Sequence, residues 1–211
     1  PWDQIQLDPG EFFTSSAPHI AQAPTKAAKD RLIKQLAIDD PPLHAAFIAA
    51  QRFNDGIKLF CHASGMYRLT SFGRLNTYSL FTEEFRNITN PHGRAGVIVP
   101  TGIATDSFNQ FFFADLVKTR SIATLYDFEN RAGIFPAVDS RMKFCILTMA
   151  GRAEHETAAS FAFFLHDPAQ IETSSFAMTA EEITLLNPNT GTCPVFRTRR
   201  DAEITLGIYR R

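Results

Sequence analysis

Apolar positions along the chain change their spacing twice. From Asp3 to about Gly73, the stretches Lys26 to Ala37 and Leu43 to Phe60 carry apolar residues three or four apart, while Pro9-Gly10 and Pro41-Pro42 punctuate the run. That period marks one face of a helix, so at least two helices are expected there. From Asn76 to Gly151, short apolar runs alternate with helical stretches. Thr77 to Thr89 reads as an amphipathic helix that Asn76 caps or opens, closed by the turn Asn90-Pro91-His92-Gly93. Gly96 to Pro100 reads as a short buried strand, and Ser107 to Arg120 as a second helix carrying Phe108, Phe111, Phe112, Leu116 and Val117. Ile122 to Phe128 and Phe144 to Met149 are two further strands; the segment between them, with Gly133 and Pro136, is a loop. Ala158 to Leu165 offers one more strand, and Thr179 with Glu182 has the spacing of a capping box that opens a small helix.

The order of these elements predicts an α/β architecture. A strand, a crossover helix and a second strand make a parallel pair with the helix on one face. The next two strands have no helix between them, so they pair antiparallel and finish a parallel sheet with a hairpin. Three segments are expected: helical over 1–75, the sheet over 76–166, and an extension over 167–211. With 211 residues, 45% hydrophobic and 20% charged, the chain is long and apolar enough for a sizeable core. Its 21 basic and 22 acidic residues nearly cancel, so a nucleic-acid partner would have to be met by a local patch. Apolar runs such as Phe144 to Ala150 are too short to span a bilayer. Cys61, Cys145 and Cys193 are widely separated and at no metal-ligand spacing, which fits a reducing cytoplasm. The histidines form no pair at metal or catalytic spacing.

Specific motifs lie on this framework. Asn76-Thr77-Tyr78-Ser79-Leu80-Phe81, Gly96-Val97-Ile98-Val99-Pro100, Leu125-Tyr126-Asp127-Phe128 with Ile134-Phe135-Pro136, and Lys143-Phe144-Cys145-Ile146-Leu147 follow one another. In order and spacing they resemble the later motifs of the gamma class of DNA adenine-N6 methyltransferases. Pro1-Trp2-Asp3-Gln4-Ile5-Gln6-Leu7 with Glu11-Phe12-Phe13 resembles the catalytic loop of the large Eco57I-like restriction-modification and phage-defence branch. Asn187-Pro188-Asn189-Thr190 with Pro194-Val195-Phe196-Arg197 resembles the segment that leaves the catalytic domain there. The resemblance covers nearly the whole chain. It implies the C-terminal half of a Rossmann-like methyltransferase sheet, starting inside an Asn-Pro-Pro-Trp motif whose Asn and first Pro precede residue 1.

Adenine N6 is a poor nucleophile because its lone pair is delocalised into the ring, and a duplex hides it in the stack, so the base must be flipped out and held. The resemblance implies that Asn and the first Pro accept hydrogen bonds from the amino group and turn its lone pair toward the methyl group of S-adenosyl-L-methionine. Trp2 matches the loop aromatic that stacks on the flipped base, and Phe135 the second aromatic of the clamp. Pro1 lines the methyl-transfer site, and Phe81 matches the residue that packs on the cofactor adenine. Each has a plainer reading: Trp2 as an interface anchor, Phe135 as one of 20 phenylalanines in a core, Phe81 as part of an apolar helix face.

Basic residues supply the candidate DNA contacts. Arg141 and Lys143 flank the base pocket, and Arg197, Arg199 and Arg200 belong to an arginine-rich C-terminal stretch that could grip phosphates or simply face solvent. No Phe-x-Gly-x-Gly turn for the cofactor occurs, and in gamma-class order that half comes first. The expectation is therefore a piece of a larger cytoplasmic protein that does not methylate by itself. Its expected partners are a cofactor-binding half and a target-recognition domain of the same protein, and double-stranded DNA with a flipped adenine. Two other readings stay open. Asp139 to Lys143 loosely resembles a metal-dependent nuclease strand, with Arg141 where that motif needs a carboxylate. A non-catalytic DNA-binding or assembly module is the other.

Overall fold

The computed structural model describes residues 2–210 and gathers them into two compact units, residues 4–66, and residues 2–3 with 67–210. In the smaller unit four helices follow one another: α1 (Pro9–Phe13), α2 (Pro18–Ala21), α3 (Lys26–Asp39) and α4 (Pro41–Ala63). A helix start leaves backbone N–H groups unpaired, and the sequence answers this locally. Asp8 accepts from the N–H of Gly10 and Glu11, Thr25 from Ala28 and Asp40 from Leu43, while proline occupies the first turn of α1, α2 and α4. The expected pair of helices is α3 and α4, each slightly longer than its apolar period. Phe13, Ala17, Ile20, Ile33, Leu36 and Phe47 form this unit's core.

The larger unit runs α5 (Thr77–Ile88), β1 (Arg94–Pro100), α6 (Gly102–Thr105), α7 (Gln110–Lys118), β2 (Ile122–Glu129), β3 (Lys143–Ala150), β4 (Ala159–Leu165), α8 (Ile171–Ser174), β5 (Phe176–Met178), α9 (Ala180–Leu186) and α10 (Arg199–Tyr209). Asn76 caps α5 by accepting from the Tyr78 N–H at 3.2 Å. The Thr179 and Glu182 side chains make both bonds of the expected capping box on α9. A 3-10 turn at Ser107–Asn109 delays α7, so its phase differs from the expected one. Phe112 and Phe113 are fully buried, whereas Phe108 and Phe111 stay half exposed. Helix α10 lies in the arginine-rich stretch, where no helix is expected, and Thr198 and Asp201 build another full capping box at its start.

The five strands lie in the order β1-β3-β2-β4-β5. The antiparallel β2/β3 hairpin is present, but β1 and β2 are not neighbours: β3 inserts between them, antiparallel to both. They therefore run the same way, as a crossover demands, one strand further apart than expected. The cause is in the burial. Cys145, Leu147 and Met149 of β3 are fully buried on one face and Phe144 and Ile146 half-buried on the other, so this strand is suited to the interior, while β1 exposes Arg94, Gly96 and Ile98 and takes the edge. β4 pairs parallel with β2, and β5 antiparallel with β4. The result is a mixed α/β sheet, mostly antiparallel with one adjacent parallel pair, compatible with part of a Rossmann-like domain.

One face of the sheet carries Val97, Val99, Leu125 and Leu147 against Ile103, Phe112, Phe113 and Leu116 of α6 and α7. Ile183, Leu186, Ala202 and Leu206 join that same core, so residues beyond 167 complete the sheet's packing. On the opposite face Phe128, Ala162 and Leu165 pack with Phe144 and Ile146. No helix among the described residues is long and apolar enough to cross a membrane.

At the far end of β3 the chain passes tightly under the 90–93 turn, where the Gly151 N–H donates to Gly93 O at 2.9 Å. A Cβ on Gly151 would run into the backbone of Asn90 and Pro91. Gly151→Ala is expected to destabilise the larger unit by roughly 1–3 kcal/mol, the cost of overpacking against atoms that cannot give way. Chemical denaturation checks this, and a change under about 0.5 kcal/mol would contradict it.

Candidate functional site

Because β1 and β2 run the same way, their carboxyl ends and the start of β3 come together at one end of the sheet, the place where open α/β sheets hold ligands. A cavity of about 470 Å³ lies there. Ile98, Val99 and Pro100 of β1 and Lys143 and Phe144 of β3 supply its floor, and Trp2, Phe135, Val138 and Met142 its walls. The lining is apolar apart from Lys143.

Trp2 reaches the cavity because the first residues are tied down twice. The Asp3 N–H donates to Thr77 Oγ1 and the Thr77 N–H to Asp3 O, each at 2.9 Å. The Trp2 indole Nε1–H donates to Ile98 O at 3.0 Å, on the edge strand β1. The polar handle of the ring is thereby satisfied and its faces are left for packing. Phe81 stands against Trp2, ring centroids 6.4 Å apart and tilted 48°, and stacks with Phe85. It does not line the cavity. Pro1 lies outside the described residues.

Phe135 is held by a residue that sequence reasoning missed. Asn130, fully buried, donates from Nδ2 to Phe135 O at 3.0 Å and to Val138 O at 2.8 Å, and accepts from the Phe135 N–H at 2.9 Å. One amide side chain thus replaces the ladder that the loop after β2 lacks. Gly133, at φ 71, gives the left-handed turn that brings the loop back. The Phe135 ring meets Phe144 edge-on at 4.9 Å, and Phe144 stacks on Phe128 at 5.2 Å. Trp2 and Phe135 keep 38% and 37% of their surface exposed, unlike the sheet's core phenylalanines. Asn130, directly after a strand and three residues before a glycine, was the available signal.

The charged groups divide between two places. At the cavity's edge Glu129 accepts from Arg131 at 2.9 Å, His166 at 3.1 Å and Lys143 at 3.2 Å. Hydrogen bonds from His166 and Lys143 hold its carboxyl below the usual range. Lys143 Nζ and the Arg197 guanidinium lie 5.0 and 4.6 Å from the centroid of the Phe164 ring. Arg141 is bound to Asp139 through Nε at 3.0 Å and Nη2 at 2.8 Å, which occupies the carboxylate of the nuclease-like stretch. At the start of α10, Arg199 bonds Ala177 O, Glu182 and Glu203, and Arg200 stands 3.7 Å from Glu203. The structure therefore brings Trp2, Phe135 and Lys143 into one cavity with Phe81 and Arg197 close by, and keeps Arg199 and Arg200 in ion pairs of their own.

Beneath the cavity's edge lies Asp127, a second residue missed. It is buried, with Thr101 Oγ1–H donating to Oδ1 at 2.5 Å and the Phe164 N–H to Oδ2 at 3.3 Å. Burial raises its pKa, and those two hydrogen bonds offset part of the rise. The three cysteines are free and buried, and burial pushes each thiol up, away from the reactive thiolate. No group of three metal-ligating side chains gathers among the described residues.

The Pro100-Thr101-Gly102 turn does not fit S-adenosyl-L-methionine as a cradle. A glycine follows a sheet strand into a helix at Pro100-Thr101-Gly102, and the space a Cβ would take at Gly102 is already filled by Asp106 and the Tyr78 hydroxyl. The glycines at positive φ, Gly65, Gly73, Gly133 and Gly191, stand in other loops.

No protein-family model and no curated protein sequence matches the chain. Among solved structures it is similar to part of the type IIG restriction endonuclease BpuSI, with 15% identity and a TM-score of 0.37, over 75% of this chain and 18% of that one. The chain thus spans under a fifth of that protein's length. A likeness at this level carries no argument about function, which rests on the site.

Two outcomes are expected from these buried polar groups. Asn130→Ala leaves the Phe135 N–H and two carbonyls without their partner, and should cost roughly 2–3 kcal/mol in chemical denaturation while shifting the Trp2 emission. Asp127 binds its proton more tightly folded than unfolded. Its linked stabilisation is full below the unfolded aspartate range and is lost as pH rises through the raised value. The stability of the wild type relative to Asp127→Asn should therefore fall from acid pH toward neutrality; a pH-independent difference would exclude this.

Proposed function

We propose that this chain is the base-binding part of a site-specific DNA methyltransferase acting on adenine N6, and that the cavity between Trp2 and Phe135 receives the flipped base. One observation carries the reading: two aromatic side chains far apart in the sequence, each held by its own hydrogen bonds, wall a single apolar cavity at the carboxyl ends of β1 and β2. A planar, weakly hydrated ligand suits such walls. Stacking on an aromatic face contributes about 1–3 kcal/mol per base, enough to offset much of the few kcal/mol that extrusion from a duplex costs.

In this reading the chain's own residues capture, orient and dry the base. Trp2 holds one wall from β1, Asn130 holds the other through the Phe135 loop, and Lys143 marks the side open to the backbone of the strand. S-adenosyl-L-methionine would supply the methyl group. Its binding falls to a cofactor-binding part of the same protein, with double-stranded DNA and a target-recognition domain as the other partners. A second reading, a non-catalytic nucleic-acid-binding or assembly module of a restriction or phage-defence system, would use the same cavity and cations without methyl transfer.

Trp2 is the one tryptophan of the sequence, so its emission reports on the cavity. An oligonucleotide carrying adenine opposite an abasic position should quench it, and Phe135→Ala should weaken that binding about tenfold, ~1.4 kcal/mol. Unquenched Trp2, with equal affinity for both proteins, removes the base-pocket reading. Methyl transfer by the intact protein, lost in Trp2→Ala, separates the enzyme from the non-catalytic module.

A further inference from the structure

Phe164 sits in a backbone conformation that a bulky aromatic residue rarely adopts. Its φ is 60, in the left-handed region that disfavours such a residue. The register around it shows why. Tyr126 pairs with Ala162 and Phe128 with Leu165, so two steps along β2 answer three along β4 and one residue is bulged out. The buried Asp127 carboxylate holds this bulge through the Phe164 N–H, with Thr101 on its other oxygen. An unfavourable torsion and a buried carboxylate are thus both retained at one residue, and their joint effect is to aim one ring.

That ring carries two cations, Lys143 and Arg197. Cations beside an aromatic ring gain from its quadrupole, and two of them drawn to one ring repel each other. Glu129 is shared by Lys143, Arg131 and His166, and Arg197 has no ion pair among the described residues. Lys143, Arg131 and Arg197 outnumber the Glu129 and Asp127 carboxyls of the cluster, and Lys143 lies at the edge of the aromatic cavity.

We propose that Phe164 is a platform that presents Lys143 and Arg197 to a backbone phosphate of the strand whose base enters the cavity between Trp2 and Phe135. The proposal rests on the base-pocket reading for which strand it grips, but its chemistry is separable: the cavity takes a ring and the platform takes a phosphodiester. Arg197 can bind the phosphate through its planar fork, and Lys143 as a point charge.

The test is the salt dependence of single-stranded oligonucleotide binding, followed by anisotropy. Removing one cation from a phosphate lowers the slope of log affinity against log salt by about 0.7. Arg197→Ala should lower it by that amount and weaken binding at low salt about fivefold; Arg197→Lys should keep the slope. Phe164→Leu, which keeps bulk and both cations but removes the ring face, should weaken binding about threefold. Slopes equal for wild type and Arg197→Ala overturn the platform, as does an Arg197→Lys slope that falls with that of Arg197→Ala. Adenosine, which has no phosphate, reads the cavity alone through Trp2 in the wild type. Quenching by adenosine with an unchanged Arg197→Ala slope leaves the base pocket standing without the platform. A lowered slope without adenosine quenching leaves the platform without the base pocket.

Discussion

β3 hydrogen-bonds along both of its edges, to β1 on one side and β2 on the other. This pairing decides where everything else can be. It sets the ends of β1 and β2 a full strand apart, and the cavity opens there over the start of β3. A direct β1/β2 pair would close it. The same insertion aligns Phe144 over Phe128, which gives the Phe135 ring its support, and places Lys143 beside Glu129 at the open side.

Around that opening, buried polar side chains do locally what a regular ladder does elsewhere. Asn130 supplies three hydrogen bonds to a loop with little secondary structure. Glu83, also buried, accepts from the Leu69 N–H and the Thr70 hydroxyl and so ties the loop before α5 to that helix. Asp127 fixes a bulge. In each case a group that is costly to bury is matched by donors or acceptors of backbone that would otherwise be unpaired. Removing one partner exposes the full cost of the other.

Much of the fold was legible in the chain because its signals are local. The apolar period of Lys26 to Ala37, the Thr179 and Glu182 pair, and the short runs at Gly96 and Phe144 each report on their own neighbourhood. The strand order was not legible, since the same runs allow β3 to stand beside β2 alone or between two partners, and two-sided burial decides it. For the site, the family resemblance picked out Trp2 and Phe135, which meet in one cavity, and of the two basic residues expected beside them Lys143 lines it and Arg141 does not. Asn130, Asp127 and Phe164 were missed because their roles exist only across the sheet: a carboxylate on one strand holding an N–H on another leaves no spacing to read. The Thr198 and Asp201 capping box was legible and was overlooked beneath a run of positive charge.

The bond from the Trp2 indole to Ile98 O has a second consequence. β1 is an edge strand, and an open edge with an exposed isoleucine is a template on which another chain can add a strand. By drawing residues 2–3 across that edge, the protein caps a carbonyl and lays a large ring over it. The segment that forms one wall of the cavity therefore also covers part of the sheet's open edge, so the same few atoms shape the cavity and close that edge.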